Sequence, residues 1–235
     1  MPEVTYEAAP ERDMRAYLAR PRGDGPWPGV VVVMDALGLS DDIRLAADRL
    51  ASAGFLAFAP DLYSGRGIRC VVATLSASRS GRGEAYADID AARAWLANHE
   101  DCTGKIGIIG FCMGGGFALL SAPRYAFSVA SVNYGEVPVD AVTRLAGACP
   151  IVASYGGRDR GLRSRAQRLE DALRALGIEH DVKEYPDAGH SFMNRINVGP
   201  GLGQLVRFVG MDYRHESAED SWRRILDFFD AHLRA

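Results

Sequence analysis

The chain lacks any continuous tract of Lys or Arg. Its 235 residues include 27 Lys and Arg against 30 Asp and Glu, which gives a formal net charge of −3 at pH 7. Proteins that bind nucleic acid through its phosphates usually present a basic patch or stripe. We therefore expect no nucleic-acid partner.

Long apolar runs are also missing. The best run, Gly29 to Met34, stops at Asp35 and falls far short of the roughly 20 residues that cross a bilayer. The segment Met1 to Glu7 is acidic and lacks the basic start and apolar stretch of a secretory signal. These absences predict a soluble, cytoplasmic protein without a membrane partner.

The cysteines are few, and their spacing forms no paired motif. No Cys-x-x-Cys motif occurs, and no His stands at a zinc-like interval from the four cysteines Cys70, Cys102, Cys112 and Cys149. We expect neither a metal site nor a cofactor. In a reducing cytosol, scattered cysteines are usually small buried apolar residues. A functional role therefore needs further support, and only Cys112 has it.

Short apolar runs alternate with longer segments of helical period. This pattern predicts a single α/β domain over 1–235, with a mostly parallel central sheet and helices on both faces. The predicted strands are Val4–Tyr6, Met14–Ala19, Val30–Met34, Phe55–Ala59, Lys105–Ile109, Phe127–Asn133, Ile151–Tyr155 and Asp181–Tyr185. The predicted helices are one capped by Ser40 and Asp41 and stopped by Gly54, one carrying Tyr86, Ile89, Ala92 and Leu96, and those at Met113–Ala122, Ser164–Leu176 and Ala218–Leu233.

Cys112 lies at the apex of a predicted strand–turn–helix. It is flanked by Gly110 and Gly114, which remove the Cβ atoms that would collide where a strand passes tightly into a helix. A thiol at a helix N-terminus has its thiolate stabilised by the unpaired amides and the helix dipole. The sequence predicts a nucleophile here. The alternative is a buried thiol in a glycine-rich packing turn, although the Gly-Lys ending of a phosphate-binding loop is missing.

An attacking thiolate creates negative charge on the carbonyl oxygen, which backbone amides can bind. The amide of Met113, directly after the nucleophile, is the first candidate. A second donor is expected from the loop after the first long strand. We predict Ala36, with Leu37 as the next choice.

His190 is the predicted base. It follows the strand Asp181–Tyr185 in a turn, and so falls at the carboxyl edge of the sheet, where such folds place their chemistry. The other histidines are predicted to be surface residues: His99, His180, His215 and His232. Asp159 also follows a strand and would orient the imidazole. The order of nucleophile, acid and histidine is that of α/β-hydrolases.

These motifs resemble the dienelactone hydrolase family. The matching segments are Gly110-Phe111-Cys112-Met113-Gly114-Gly115, Gly156-Gly157-Arg158-Asp159, Gly189-His190-Ser191-Phe192 and Pro60-Asp61-Leu62-Tyr63. The resemblance implies the α/β-hydrolase fold. It also implies cofactor-free hydrolysis of an ester or an enol-lactone such as dienelactone, through a thioester on Cys112.

Two positions depart from the family pattern. The family's lactonases carry a glutamate that interacts with the resting thiol where this chain has Asp35, one methylene shorter, so a thiol-gating role for Asp35 is a hypothesis. Their carboxylate-binding arginine is replaced by Asn194, with Arg195 next. Possible substrate contacts are therefore Arg69, Arg79, Arg82, Tyr134, Phe192 and Arg195.

Two further hypotheses stay open. The acyl group could pass to an acceptor other than water, or the fold could serve as a non-catalytic small-molecule binder or thiol redox sensor. An intact His190 and Asp159 argue against the second hypothesis. The expected partner is a small ester or lactone, and the expected assembly is a monomer or small homo-oligomer.

Overall fold

The computed structural model describes residues 3–9, 12–64, 73–74, 76–78, 80–195 and 213–234. Its eight strands form one sheet in the order β1-β2-β4-β3-β5-β6-β7-β8. The first two junctions, β1 with β2 and β2 with β4, are antiparallel, and every later pair is parallel. The strands are β1 (Glu3–Ala9), β2 (Arg12–Ala19), β3 (Trp27–Val33), β4 (Leu56–Pro60), β5 (Cys102–Phe111), β6 (Val129–Asn133), β7 (Ile151–Gly156) and β8 (His180–Tyr185).

Helices cover both faces of this sheet. They include α1 (Asp41–Ser52), α2 (Glu84–Ala97), α3 (Met113–Ser121), α4 (Ala141–Arg144), α5 (Arg165–Leu176) and α6 (His215–Leu233). A Cβ on Gly29 of β3 would lie 2.8 Å from Leu96 of α2, whereas one on Gly107 of β5 would lie 3.2 Å from Leu233 of α6. Gly107 pairs with Val30, the residue after Gly29. Because successive residues of a strand point to opposite faces, α2 and α6 lie on opposite sides.

The central strands are buried on both faces, which explains their continuous apolar sequence. Every residue from 28 to 33 in β3 is buried, as is the whole of β7. The predicted α/β architecture, mostly parallel with helices on both faces, is therefore confirmed. Within the described residues, no helix is long and apolar enough to cross a membrane.

Several predicted boundaries and caps need correction. Helix α4 was not predicted, and α6 begins at His215 rather than Ala218. The side chain of Ser40 does not cap α1, because its hydroxyl is buried without a hydrogen-bond partner among the described atoms. Asp41 is the first residue of the helix itself, where a carboxylate favours the positive end of the helix dipole.

Candidate active site

Cys112 is the single residue between β5 and α3, and its backbone has a conformation that residues with a side chain rarely adopt. Its φ is 54° and its ψ is −115°. The surrounding backbone holds this geometry, because its amide donates to the carbonyl of Asn133 at 3.0 Å and its own carbonyl accepts from the amide of Gly115 at 3.0 Å. Strain of this kind is typical of a functional turn. The thiol is thereby fixed at the carboxyl edge of the sheet.

The two flanking glycines are a steric requirement of this turn. A Cβ on Gly110 would overlap the carbonyl oxygen of Gly114, and a Cβ on Gly114 would overlap the carbonyl oxygen of Val33. Both contacts are with backbone, which cannot rotate away. The predicted reason for the glycines at these two positions is the one that the structure shows.

His190 lies between the thiol of Cys112 and the carboxylate of Asp159. Its Nε2 is 3.1 Å from Sγ of Cys112, and its Nδ1 is 2.5 Å from Oδ2 of Asp159. The histidine follows β8, and the aspartate follows β7. Because these parallel neighbours end at the same edge of the sheet, the three side chains that the sequence singled out are brought together in one line.

Backbone amides fix the carboxylate of Asp159. Its Oδ1 accepts from the amides of Gly161 at 2.9 Å and Leu162 at 3.2 Å, which leaves Oδ2 for the imidazole. Burial raises the pKa of Asp159, but the hydrogen bond and charge of His190, together with these two amides, outweigh burial and lower it below its ordinary value. The carboxylate is ionised at neutral pH.

The contact with His190 that lowers the pKa of Asp159 raises the pKa of His190. Burial lowers its pKa, but the hydrogen bonds and charges of Asp159 and Cys112 outweigh burial and raise it to about 10. The imidazole is therefore expected to carry a proton at neutral pH. An imidazolium beside a thiol favours the thiolate, which is the nucleophilic form of cysteine.

Tyr134 supports His190 from the side. This residue follows β6 with a positive φ of 41°, is 1% exposed, and packs edge-on against the imidazole with ring centres 5.3 Å apart. Its hydroxyl donates to Oδ1 of Asn194 at 2.8 Å. Tyr134 is thus a buried wall of the site, anchored at its far end by Asn194.

Asp35 is bound by groups other than the thiol. Its Oδ1 accepts from the amide of Leu37 at 2.8 Å, and its Oδ2 accepts from Nδ2 of Asn194 at 3.1 Å. Burial raises the pKa of Asp35 above its usual value, although both hydrogen bonds and the charge of His190 act against burial. No hydrogen bond joins the described side chains of Asp35 and Cys112.

A cavity of about 260 Å³ opens over Cys112. Its lining includes Met113 and Ala36, the two residues predicted to bind the oxyanion. Leu37, the next choice, is unsuitable because its amide already donates to Asp35. The remaining lining residues are Ser78, Gly116, Tyr134, Glu136, Leu162 and His190.

Of the possible substrate contacts, only Tyr134 lines this cavity within the described part of the chain. Phe192 is fully buried and packs against Tyr134 and Tyr185, so it belongs to the core beneath the site. The guanidinium of Arg195 lies over the ring of Tyr213, 4.7 Å from its centre. Arg82 is exposed elsewhere on the surface, while Arg69 and Arg79 lie outside the described residues.

The other four histidines do not line the cavity. His215 is exposed as predicted, but the prediction was wrong for His99 and His232, whose side chains are only 12% and 15% exposed. The ring of His99 packs against Trp95, and that of His232 against Phe228. His180 is half-buried. Within the described residues, no group of His, Cys, Asp and Glu is arranged to hold a metal ion.

Sequence reasoning missed three lining residues: Ser78, Glu136 and Leu162. Glu136 stands three residues after β6, and Leu162 stands three residues after Asp159. Their positions after strand ends were the available signal. Ser78 comes from the long excursion between β4 and α2, where the sequence offers no such signal.

Comparison with known proteins agrees with this architecture. A model of the dienelactone hydrolase family matches residues 14–233. Proteins named "Putative carboxymethylenebutenolidase" from Escherichia coli K12 and Salmonella typhimurium LT2 are each 33% identical to this chain over 237 residues, covering 92% of it and 82% of the relative.

Solved structures are similar over nearly the whole chain. A crystal structure titled "Putative Dienelactone Hydrolase", from Klebsiella pneumoniae, is 28% identical with a TM-score of 0.78, covering 97% of this chain and 98% of that one. A dienelactone hydrolase-like promiscuous phosphotriesterase from metagenomic libraries shares the fold, with a TM-score of 0.82 at 23% identity over 98% of this chain and 97% of that one. The chain therefore belongs to the dienelactone hydrolase family, has its α/β-hydrolase fold, and is a carboxylic-ester hydrolase.

Proposed function

We propose that this hydrolase cleaves a carboxylic ester or enol-lactone through a covalent thioester on Cys112. The observation that carries the proposal is the line of contacts from Sγ of Cys112 through the imidazole of His190 to the carboxylate of Asp159, at 3.1 Å and 2.5 Å. The name of the curated relatives points to a butenolide lactone as one substrate class. The cavity of about 260 Å³ beside the thiol suits a compact ester or lactone.

In the first half-reaction, the thiolate of Cys112 attacks the substrate carbonyl carbon and its π electrons move to oxygen. The amides of Met113 and Ala36 hold the resulting oxyanion. When the tetrahedral intermediate collapses, the bond to the leaving oxygen breaks, and His190 donates its Nε2 proton to that oxygen. The products are an alcohol or enol and a thioester on Cys112. In a lactone both belong to one molecule.

In the second half-reaction, the now neutral His190 takes a proton from water as the water oxygen attacks the thioester carbonyl. Collapse of this second intermediate expels the thiolate and releases the carboxylic acid. Asp159 holds the imidazole in the required tautomer and stabilises its positive charge each time it forms. The resting thiolate–imidazolium pair is then restored.

The deciding experiment measures product release from p-nitrophenyl acetate and from a dienelactone by the wild-type protein and by Cys112→Ala. The wild type should turn over at least one substrate, and the variant should be inactive. A thioester should also be detectable by mass spectrometry of protein quenched in acid during turnover. If both proteins are equally active, hydrolysis does not depend on Cys112 and the cysteine mechanism is wrong. If both are equally inert, the result favours the binder or sensor role.

A further inference from the structure

The loop after β3 makes one tight turn from Asp35 to Gly38. The amide of Gly38 donates to the carbonyl of Asp35 at 3.2 Å, and the amide of Leu37 donates to Oδ1 of Asp35 at 2.8 Å. The carbonyl of Asp35 and the amide of Ala36 belong to one planar peptide unit. The bond from Gly38 therefore also sets the direction of the Ala36 amide. Among the described atoms, that amide has no hydrogen-bond acceptor, so it is left for the oxyanion.

Tyr63 holds this turn from outside. It follows β4, the parallel neighbour of β3, and is half-buried. Its hydroxyl donates to the carbonyl of Ala36 at 3.1 Å. A Cβ on Gly38 would lie 3.2 Å from Cδ2 of Tyr63, so the ring lies directly against this glycine. One side chain therefore contacts both the middle and the end of the turn that carries the Ala36 amide.

The turn that carries Tyr63 is itself anchored. Oδ1 of Asp61 accepts from the amide of Tyr63 at 3.1 Å, and Oδ2 accepts from Nη2 of Arg15 at 2.9 Å. The carbonyl of Asp61 accepts from the amide of Ser64 at 3.0 Å. The Asp61 side chain is 11% exposed, so water competes little for these contacts. The hydroxyl of Tyr63 is thus presented to Ala36 from a fixed position.

We propose that Tyr63 is a positioning residue of the oxyanion hole, which keeps the amide of Ala36 aimed at the oxygen that becomes negative. The inference rests on the proposed hydrolysis at Cys112. Tyr63 is not among the described residues that line the cavity, so it acts through Ala36. Donors stabilise a transition state most when they are aimed before the reaction begins. Without the hydroxyl, the peptide after Ala36 loses its contact with β4, and the neighbouring amide is held less well in that direction.

The test compares two reactions of the same thiol. Acylation by p-nitrophenyl acetate passes through an oxyanion. Reaction with 2,2′-dipyridyl disulfide does not, because the thiolate bonds to one sulfur and pyridine-2-thiolate leaves. Tyr63→Phe keeps the ring against Gly38 and should lower kcat/KM for the ester about tenfold, less than the roughly 10²- to 10³-fold for loss of a donor itself. The disulfide rate of Cys112, after subtraction of the Cys112→Ala rate, should stay within twofold of wild type at each pH.

Tyr17→Phe is the matched control. Tyr17 is also half-buried, and its hydroxyl donates to Oδ1 of Asp48 at 2.8 Å, away from the cavity lining. Both rates should stay at wild-type values in that variant.

Two results would overturn the proposal. One is an ester kcat/KM within twofold of wild type in folded Tyr63→Phe. The other is an equal fall in the ester and disulfide rates, which would mean that Tyr63 supports the thiol rather than the oxyanion donor. Should Tyr63→Phe not fold, Tyr63→Leu, which also lacks the hydroxyl, is judged in the same way. If the wild type hydrolyses no ester while Cys112 reacts with the disulfide, the proposed function itself has failed, and this inference fails with it.

Discussion

Asp35 is bound to Asn194, whose Nδ2 donates to its Oδ2 at 3.1 Å. The amide of Leu37 engages the other oxygen at 2.8 Å. Asn194 occupies the place that the family resemblance gives to a carboxylate-binding arginine. Its own carbonyl accepts from Tyr134, so the amide is used at both ends inside the protein. Asp35, Asn194 and Tyr134 therefore form one buried chain beside His190.

Lengthening Asp35 tests whether its carboxylate influences the thiol. Asp35→Glu adds a methylene at a position that is 5% exposed, so we expect the fold to survive with a loss of about 1–3 kcal/mol in the free energy of unfolding. The carboxylate can then extend beyond its contacts with Leu37 and Asn194. The pH–rate profile and kcat/KM on a carboxylate-bearing lactone should change.

Asp41→Glu is the matched control, because its side chain is 99% exposed at the start of α1. Both kinetic and stability values should stay at wild-type levels in that variant. If Asp35→Glu also leaves the rate and the pH–rate profile unchanged, Asp35 does not gate Cys112. It is then a structural residue of the turn.

The hydrogen bond from Tyr134 to Asn194 predicts a difference in stability between variants of two buried tyrosines. Tyr134→Phe leaves Oδ1 of Asn194 without its donor, which should lower the free energy of unfolding by about 1–3 kcal/mol. Tyr155 is equally buried, but its hydroxyl has no hydrogen-bond partner among the described atoms. Tyr155→Phe should therefore be neutral or stabilising. Urea denaturation of both variants measures this difference. Equal losses in the free energy of unfolding would contradict the contacts assigned to the two tyrosine hydroxyl groups.

The parts of the site that could be predicted are those where position along a strand fixes position in space. Cys112, Asp159 and His190 each follow a strand of a parallel sheet, so their meeting at one edge follows from topology. Topology does not fix the direction of a side chain that follows a tight turn. Phe192 follows Ser191, whose φ is 59°, and turns into the core, while Arg195 stacks on Tyr213. Such contacts depend on distant residues that no local pattern identifies.

The charge state of His190 predicts how stability depends on pH. Its pKa is raised to about 10 in the folded protein, against 6.5 ordinarily, so the folded state binds this proton more tightly. The resulting stabilisation is complete below about pH 6.5 and is lost as pH rises through about 10. Asp159, whose pKa is lowered, stays ionised throughout that range.

Urea unfolding at several pH values between 6 and 10.5, roughly the window set by this shift, measures the effect. The free energy of unfolding of the wild type should fall across the range, by an amount on the order of a few kcal/mol. The free energy of unfolding of His190→Gln should fall less, because that variant lacks the titrating imidazole. Parallel curves for the two proteins would show that His190 is not protonated preferentially in the folded state.

Asp159 is expected to act through the imidazole alone. Asp159→Asn keeps an oxygen for the amides of Gly161 and Leu162 but removes the negative charge facing Nδ1 of His190. We expect kcat/KM to fall by about 10²- to 10⁴-fold, as in other triads that lose this carboxylate. Asp187→Asn, which alters an 82% exposed aspartate in the turn before His190, is the control and should keep wild-type activity. Similar activities for the two variants would remove Asp159 from the mechanism.

The turn at Cys112 predicts opposite outcomes for two glycine substitutions a few residues apart. Gly110→Ala places a Cβ on the backbone of Gly114, so the turn must open. We expect insoluble protein, or a loss of more than about 3 kcal/mol in the free energy of unfolding together with loss of activity.

Gly116 lies inside α3, and a Cβ there would be 3.3 Å from its nearest neighbour, the carbonyl oxygen of Ser78. Alanine is worth up to about 1 kcal/mol over glycine within a helix, which offsets that tight contact. Gly116→Ala should therefore fold with near-native stability in thermal and urea denaturation, and a well-folded Gly110→Ala would show that the turn is not constrained by this contact.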